Sequence, residues 1–173
     1  MLHRAHELAG DALLAPEGNA GRVKDFYFDL ERRSVEYLAV ETGGAVGGRT
    51  VLVSPAAIDR RRSSEQAMFA TLPSAEIERA PSAEKARAAR LCSGCEMIGY
   101  AVDASDGPIG NVIDVLIEDE SWSLARIVIH ASEWLPARQL SVPAAALEEV
   151  DQDRRRVRLG LTCQEIERGV AAD

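Results

Sequence analysis

Slid against itself by 89 residues, the chain repeats without a gap. Gly10 falls on Gly99, Gly18 on Gly107, Gly21 on Gly110, Val23 on Val112 and Asp25 on Asp114. Arg49 meets Arg138, Val53 meets Val142, and Ala56-Ala57 meet Ala145-Ala146. At the far end Glu76-Ile77-Glu78-Arg79 meet Glu165-Ile166-Glu167-Arg168. Similarity of this kind marks a duplicated unit, so one copy's fold constrains the other's. A unit of roughly 80 residues buries only a small core alone, and the two copies are expected to pack on one another.

Each copy reads as β-structure. In the second, Ile109, Val112, Val115 and Ile117 lie near two-residue spacing after a glycine turn. Leu124, Ile127, Val128 and Ile129 then form a β-branched run, which predicts a second strand. The first copy repeats this with Val23, Phe26 and Phe28, then Val35, Leu38 and Val40. A third strand at 49–53 or 138–142 runs into a proline and a short helical turn, with another strand near 66–72 or 155–161. Short helices beginning at Ser74 and Cys163 close the copies, those two residues standing at the cap positions. The predicted domains are 1–80 and 96–173. The linker, 81–95, is rich in Ala and charge and holds a short helix from Ser82 to Leu91.

The glycines have a mechanical reading. Gly18 and Gly107 sit in turns that call for positive φ, while Gly21 and Gly110 stand where backbone must bend or approach closely. No helix and no Lys-Ser/Thr follows them, as a phosphate-cradling loop would require. Asp25 and Asp114 are read as solvated supports of these turns.

The net charge is −8, and it is unevenly placed. Residues 1–90 carry 13 Lys/Arg and 13 Asp/Glu, whereas residues 91–173 carry 7 and 15. A field of that sign repels phosphate backbones, which argues against nucleic acid as a partner. No window approaches the roughly 20 apolar residues of a membrane span, so direct membrane insertion is not expected. The start carries no signal-peptide pattern and the cysteines number three, from which a cytoplasmic chain without a disulfide framework is expected.

The pattern GxxGxVxD, followed by a short turn, an apolar strand and a third strand running into proline, resembles the PRC-barrel family. It is clearest in IGYAVDASDGPIGNVIDVLIEDESWSLARIVIHASEWLPARQLSVPAAAL and recurs in VKDFYFDLERRSVEYLAVETGGAVGGRTVLVSPAAI. That family includes the cytoplasmic domain of the photosynthetic reaction-centre H subunit and the C-terminal domain of a bacterial ribosome maturation factor. The resemblance implies an all-β fold of two small, partly open antiparallel β-barrels in tandem with short helical turns, and no enzymatic activity. Trp122 and Trp134 keep tryptophans usual in such repeats, while Arg33 and Ala45 replace them in the first copy.

Three functions remain. The first is a non-enzymatic interaction or scaffold module, its anchors Trp134, Leu135 and Trp122, expected to self-associate as a dimer and to bind a further protein. The second is a module on a photosynthetic or electron-transport membrane complex, by analogy with the H subunit. The third uses His3 and His6, which fall at the same offset on Cys92 and Cys95. Two His and two Cys at two-residue gaps are a zinc ligand set, and the Cys pair alone is a dithiol. No cofactor is otherwise expected, and no GxSxG or HExxH organises the Ser, His and Glu residues for catalysis.

Overall fold

The computed structural model describes residues 1–43, 48–64, 67–132 and 138–170. Strand β1 (Leu2–Arg4) leads into a single helical turn, α1 (Ala5–Leu8). Strands β2 (Ala12–Ala15), β3 (Gly18–Asp29), β4 (Ser34–Thr42) and β5 (Arg49–Val53) follow as an antiparallel meander. A 3-10 turn at Pro55–Ala57 opens into β6 (Ile58–Ser64), β7 (Ala67–Ala70) and α2 (Ser74–Glu78). After α3 (Glu84–Ala88) the order starts again with β8 (Cys92–Ser93), α4 (Gly94–Met97), β9 (Ala101–Ala104) and β10 (Gly107–Glu118). It continues with β11 (Ser123–Ala131), β12 (Arg138–Pro143), a 3-10 turn at Ala144–Ala146, β13 (Leu147–Asp151), β14 (Arg156–Leu159) and α5 (Cys163–Val170). Apart from α3, each element of the first copy has a counterpart starting 89 residues later, to within one residue.

The chain is mostly β-structure, and its described residues form one open, mixed sheet of 14 strands. Its order, β13-β14-β9-β10-β11-β4-β3-β2-β7-β6, reads as its own mirror image once the offset is applied. The mirror falls between β11 and β4, which meet at the Ser34–Ser123 pair. There the Val35 N–H donates to the Trp122 carbonyl at 2.7 Å and the Leu124 N–H donates to the Arg33 carbonyl at 2.8 Å. These two bonds are the same bond seen from each copy, so a local two-fold axis passes between them.

Around this axis the copies exchange their first segments. Strand β1 pairs with β10 of the second half, Leu2 to Glu118, His3 to Ile117 and Arg4 to Leu116. Strand β8 pairs with β3 of the first half, Cys92 to Phe28 and Ser93 to Tyr27. The boundaries at 80 and 96 separate the copies along the sequence, but in space residues 2–8 and 92–97 change places. One apolar cluster accordingly runs through both halves, from Ala5 through Phe26, Phe28 and Leu38 to Ile117, Ile129 and Ile166. A second, small cluster of Tyr27, Ala39, Leu52 and Ala86 lies under α3, which covers only the first half.

Bulges decide which side chains face in. In β10 the register slips between Val112 and Asp114, so Asp114 and Val115, neighbours in sequence, are both buried. Helix α5 is not capped by Cys163. Thr162 precedes it, its Oγ1 accepting from the Glu165 N–H at 3.2 Å while Glu165 Oε2 accepts from the Thr162 N–H at 2.8 Å. That reciprocal pair is a capping box. In the first copy Pro73 takes the cap position, Ser74 moves inside the helix, and Glu17 accepts from its N–H at 3.1 Å. No helix among the described residues is long and apolar enough to cross a membrane.

Candidate functional site at the seam of the two halves

The exchanged segments are held by the two aspartates the repeat aligns. Asp25 Oδ2 accepts from the Ser93 hydroxyl, and its Oδ1 accepts from the Cys95 N–H at 2.9 Å. Asp114 Oδ2 meets His6 Nδ1 at 2.5 Å and Arg4 Nη1 at 3.6 Å. At the offset of 89, Ser93 corresponds to Arg4 and Cys95 to His6, so each carboxylate grips the same two positions of the other half's segment. The first half does so with neutral donors and the second with basic side chains. Asp114 is 1% exposed and lies within a strand, so the reading of it as a solvated turn support is corrected. The bulge turns it inward, and the bound His6 and Arg4 supply the donors that water would otherwise give.

Further along β1, His3 Nε2 meets Asp119 Oδ2 at 3.0 Å. Glu118 accepts from the Ser121 N–H at 2.8 Å and from the Met1 amine at 2.9 Å, and these bonds, the amine's first, hold its carboxyl down to about 2.

Of the four residues with zinc-ligand spacing, the two histidines therefore lie on separate carboxylates. Cys92 is buried beside the Ser93 carbonyl, and the Cys95 thiol donates to the Lys24 carbonyl at 3.4 Å. Among the described residues no three His, Cys, Asp or Glu side chains are grouped to hold a metal ion. Burial, with Glu96 and Asp25 behind it, pushes the Cys92 thiol up to about 12. Burial and the neighbouring Asp25 push Cys95 up to about 12 as well. Both therefore stay protonated at neutral pH and are poor nucleophiles. Alkylation by iodoacetamide at pH 8 is expected to run at least about a hundredfold slower than for an ordinary thiol with a pKa of about 8.5. A rate for Cys95 close to that of free cysteine would show that its thiol is not held as described.

Trp122 stands at the axis with φ of 51°, and Arg33 holds the equivalent place at 53°. The indole is half-buried and stacks on Phe26 of the first half, centroids 6.4 Å apart. It thus joins the halves. Arg33 reaches the Ala145 carbonyl at 3.5 Å, and its Nε is buried without a hydrogen-bond partner among the described residues. Trp134 and Leu135 lie outside the described residues. Gly18 and Gly107 adopt φ of +133° and +155° as the first residues of β3 and β10, directly after the turns. Gly21 and Gly110 sit inside those strands, both at φ +156°, with the carbonyls of Glu41 and His130 pressed against them.

A cavity of about 650 Å³ opens beside Trp122, bounded by α1, β6 and β7. Sequence reading passed over its most distinctive residue, Asp11. The signal was available in the repeat, where GlyAspAla at 10–12 stands opposite GlyTyrAla at 99–101. A carboxylate exchanged for an aromatic ring at a buried position is not a surface drift. No known family profile matches this chain, and no curated protein is similar to it.

Proposed function

We propose that the chain is a protein-interaction module without chemistry of its own. It is built of two PRC-barrel-like halves that close on each other through their exchanged segments. It self-associates as a dimer and binds a further protein through the β12 edge, with Trp134 and Leu135, which precede that strand in sequence, as anchors. The GxxGxVxD pattern of each half and the mirror-related strand order support the barrel reading.

The observation that carries the interaction reading is an unequal pair of edges. In the first half the linker runs along β5. The Leu52 N–H donates to the Pro81 carbonyl at 2.8 Å, the Ala83 N–H donates to the Thr50 carbonyl at 3.3 Å, and Val51 bridges Ser82. The equivalent strand, β12, pairs with β11 and with no other strand among the described residues. Its equivalent positions are Gln139 and Ser141, and Arg126 reaches over to the Ser141 carbonyl at 2.8 Å. An edge covered in one copy and left to side chains in the other is where an added strand gains main-chain hydrogen bonds. Trp134 and Leu135 immediately precede it in sequence and supply the apolar anchor such an edge needs.

The test is Trp134→Ala, followed by sedimentation velocity and thermal melting. Self-association is expected to weaken by about 2 kcal/mol or more, roughly thirtyfold, with melting nearly unchanged. Unchanged association together with a large loss of stability would instead make Trp134 a core residue and remove this face from consideration.

A further inference from the structure

The cavity beside Trp122 has an apolar wall made by Leu8, Ile58, Met68 and the indole itself. Its polar side has five charged or titratable groups besides Asp119: the Met1 amine, His3, Glu7, Asp11 and Arg60. Three of these are already engaged. The Met1 amine donates to Glu118 and Asp119 at 2.9 and 2.6 Å. His3 lies on the Asp119 carboxylate, and the Arg60 guanidinium donates to the Asp119 carbonyl. Arg22, whose charge also reaches Asp11, has its guanidinium on the Gly10 carbonyl. What remains facing the cavity is carboxylate.

Asp11 is 8% exposed, and its Oδ2 has no hydrogen-bond partner among the described residues. A buried carboxylate left unpaired is costly and has no packing purpose. The second half shows what packing alone would choose. There Tyr100 occupies the equivalent position, 4% exposed, with the Arg155 guanidinium 5.4 Å above its ring. Tyr100 belongs to the common apolar core. At Asp11 the first half has given up that ring, keeping a hole and a charge in its place.

We infer that this cavity binds a small molecule with an apolar body and a protonated amine. The ammonium group sits on Asp11 with Glu7 at the mouth, and the body lies against Met68, Ile58 and Trp122. The volume is within the range of sites that enclose small ligands, and one buried charge among apolar walls is how such sites fix orientation. This site does not depend on the β12 edge or on Trp134.

The experiment uses the full chain with methyl-13C methionine and two probes of one shape, 4-phenylbutylamine and the uncharged 4-phenylbutanol. The Met68 methyl, assigned by Met68→Leu, reports on the cavity. The Met97 methyl, fully buried at the position that the repeat aligns with Leu8, is the internal reference. Saturable shifts at Met68, with Met97 unmoved, are expected from millimolar amine, with the amine bound at least about tenfold more tightly than the alcohol. Asp11→Asn should erase that preference and keep the alcohol, with no loss of melting temperature, because it removes an unpaired charge. Asp11→Tyr, which copies the second half, should abolish binding of both. Equal binding of the two probes to the natural chain, a preference that survives Asp11→Asn, or a Met68 methyl indifferent to millimolar amine would each overturn the assignment. The comparison of probes needs no variant, so a misfolded substitution cannot rescue it.

Discussion

Replacing Gly110 by alanine is expected to lower stability by at least about 3 kcal/mol, which for a chain of this size is roughly 6–12 °C in melting temperature. Two costs combine. The backbone there has φ of +156°, which a side chain rarely adopts, and an added Cβ would lie 1.9 Å from the His130 carbonyl oxygen. That oxygen belongs to the main chain of β11 and cannot turn aside, so the paired strands must separate. Gly21→Ala repeats the experiment in the first half, where the nearest atom is the Glu41 oxygen at 2.5 Å. A smaller loss, about 2 kcal/mol, is expected there. Gly10→Ala is the control. It has positive φ but open space around it, so only the conformational cost of about 1 kcal/mol applies. Thermal or denaturant unfolding of the three variants decides, and losses of equal size would mean that conformation, not the close approach, sets the cost.

Removing residues 1–8 is expected to damage the half of the protein in which they are not encoded. The truncation strips β1 from β10, takes the buried Ala5 out of the core, and leaves Asp114 without His6 and Arg4. A buried charge deprived of its partners typically costs about 3–5 kcal/mol. Amide exchange should therefore quicken along residues 112–118. Residues 23–29 should stay protected, because Cys92 and Ser93 still close β3. Quicker exchange in β3 than in β10 would contradict the exchange of segments. A point variant gives the reciprocal result. Asp25→Ala frees the Ser93 hydroxyl and the N–H groups of Cys95 and Phe26, and should loosen the first half by about 1–2 kcal/mol.

The duplication was legible because it leaves a signal at every scale, from paired glycines to the closing Glu-Ile-Glu-Arg. The positions of β3, β4, β5 and β7 and their counterparts follow from it together with the β-branched runs, whereas β2, β6, β9 and β13 were not read, and the linker helix lies within the span predicted for it, as Glu84–Ala88. The exchange of segments was not legible. Comparing a chain with itself shows that Leu2 matches Leu91, but not which half each will join, and a three-residue strand has no period to read. Asp114 misled for a related reason. A carboxylate close after a glycine turn reads as solvated, and nothing in the sequence marks the bulge that buries it beside Val115. The caps failed through a shift of one position, since Thr162 and Pro73 precede the residues expected to cap. Asp11 was overlooked because attention to matched positions passes over mismatched ones, and a pocket left by a missing ring is recorded only as a mismatch.

The exchanged segments also set an order of completion during synthesis. Strand β1 leaves the ribosome well before β10, and its place beside that strand is made more than a hundred residues later. At roughly 5–20 residues per second that is a wait on the order of ten seconds. The first half needs no such wait. Its own missing strand is Cys92–Ser93, which follows directly after the linker helix. Translation therefore closes the first half while the strand made earliest still hangs free, and the second half forms around a segment that has been waiting for it.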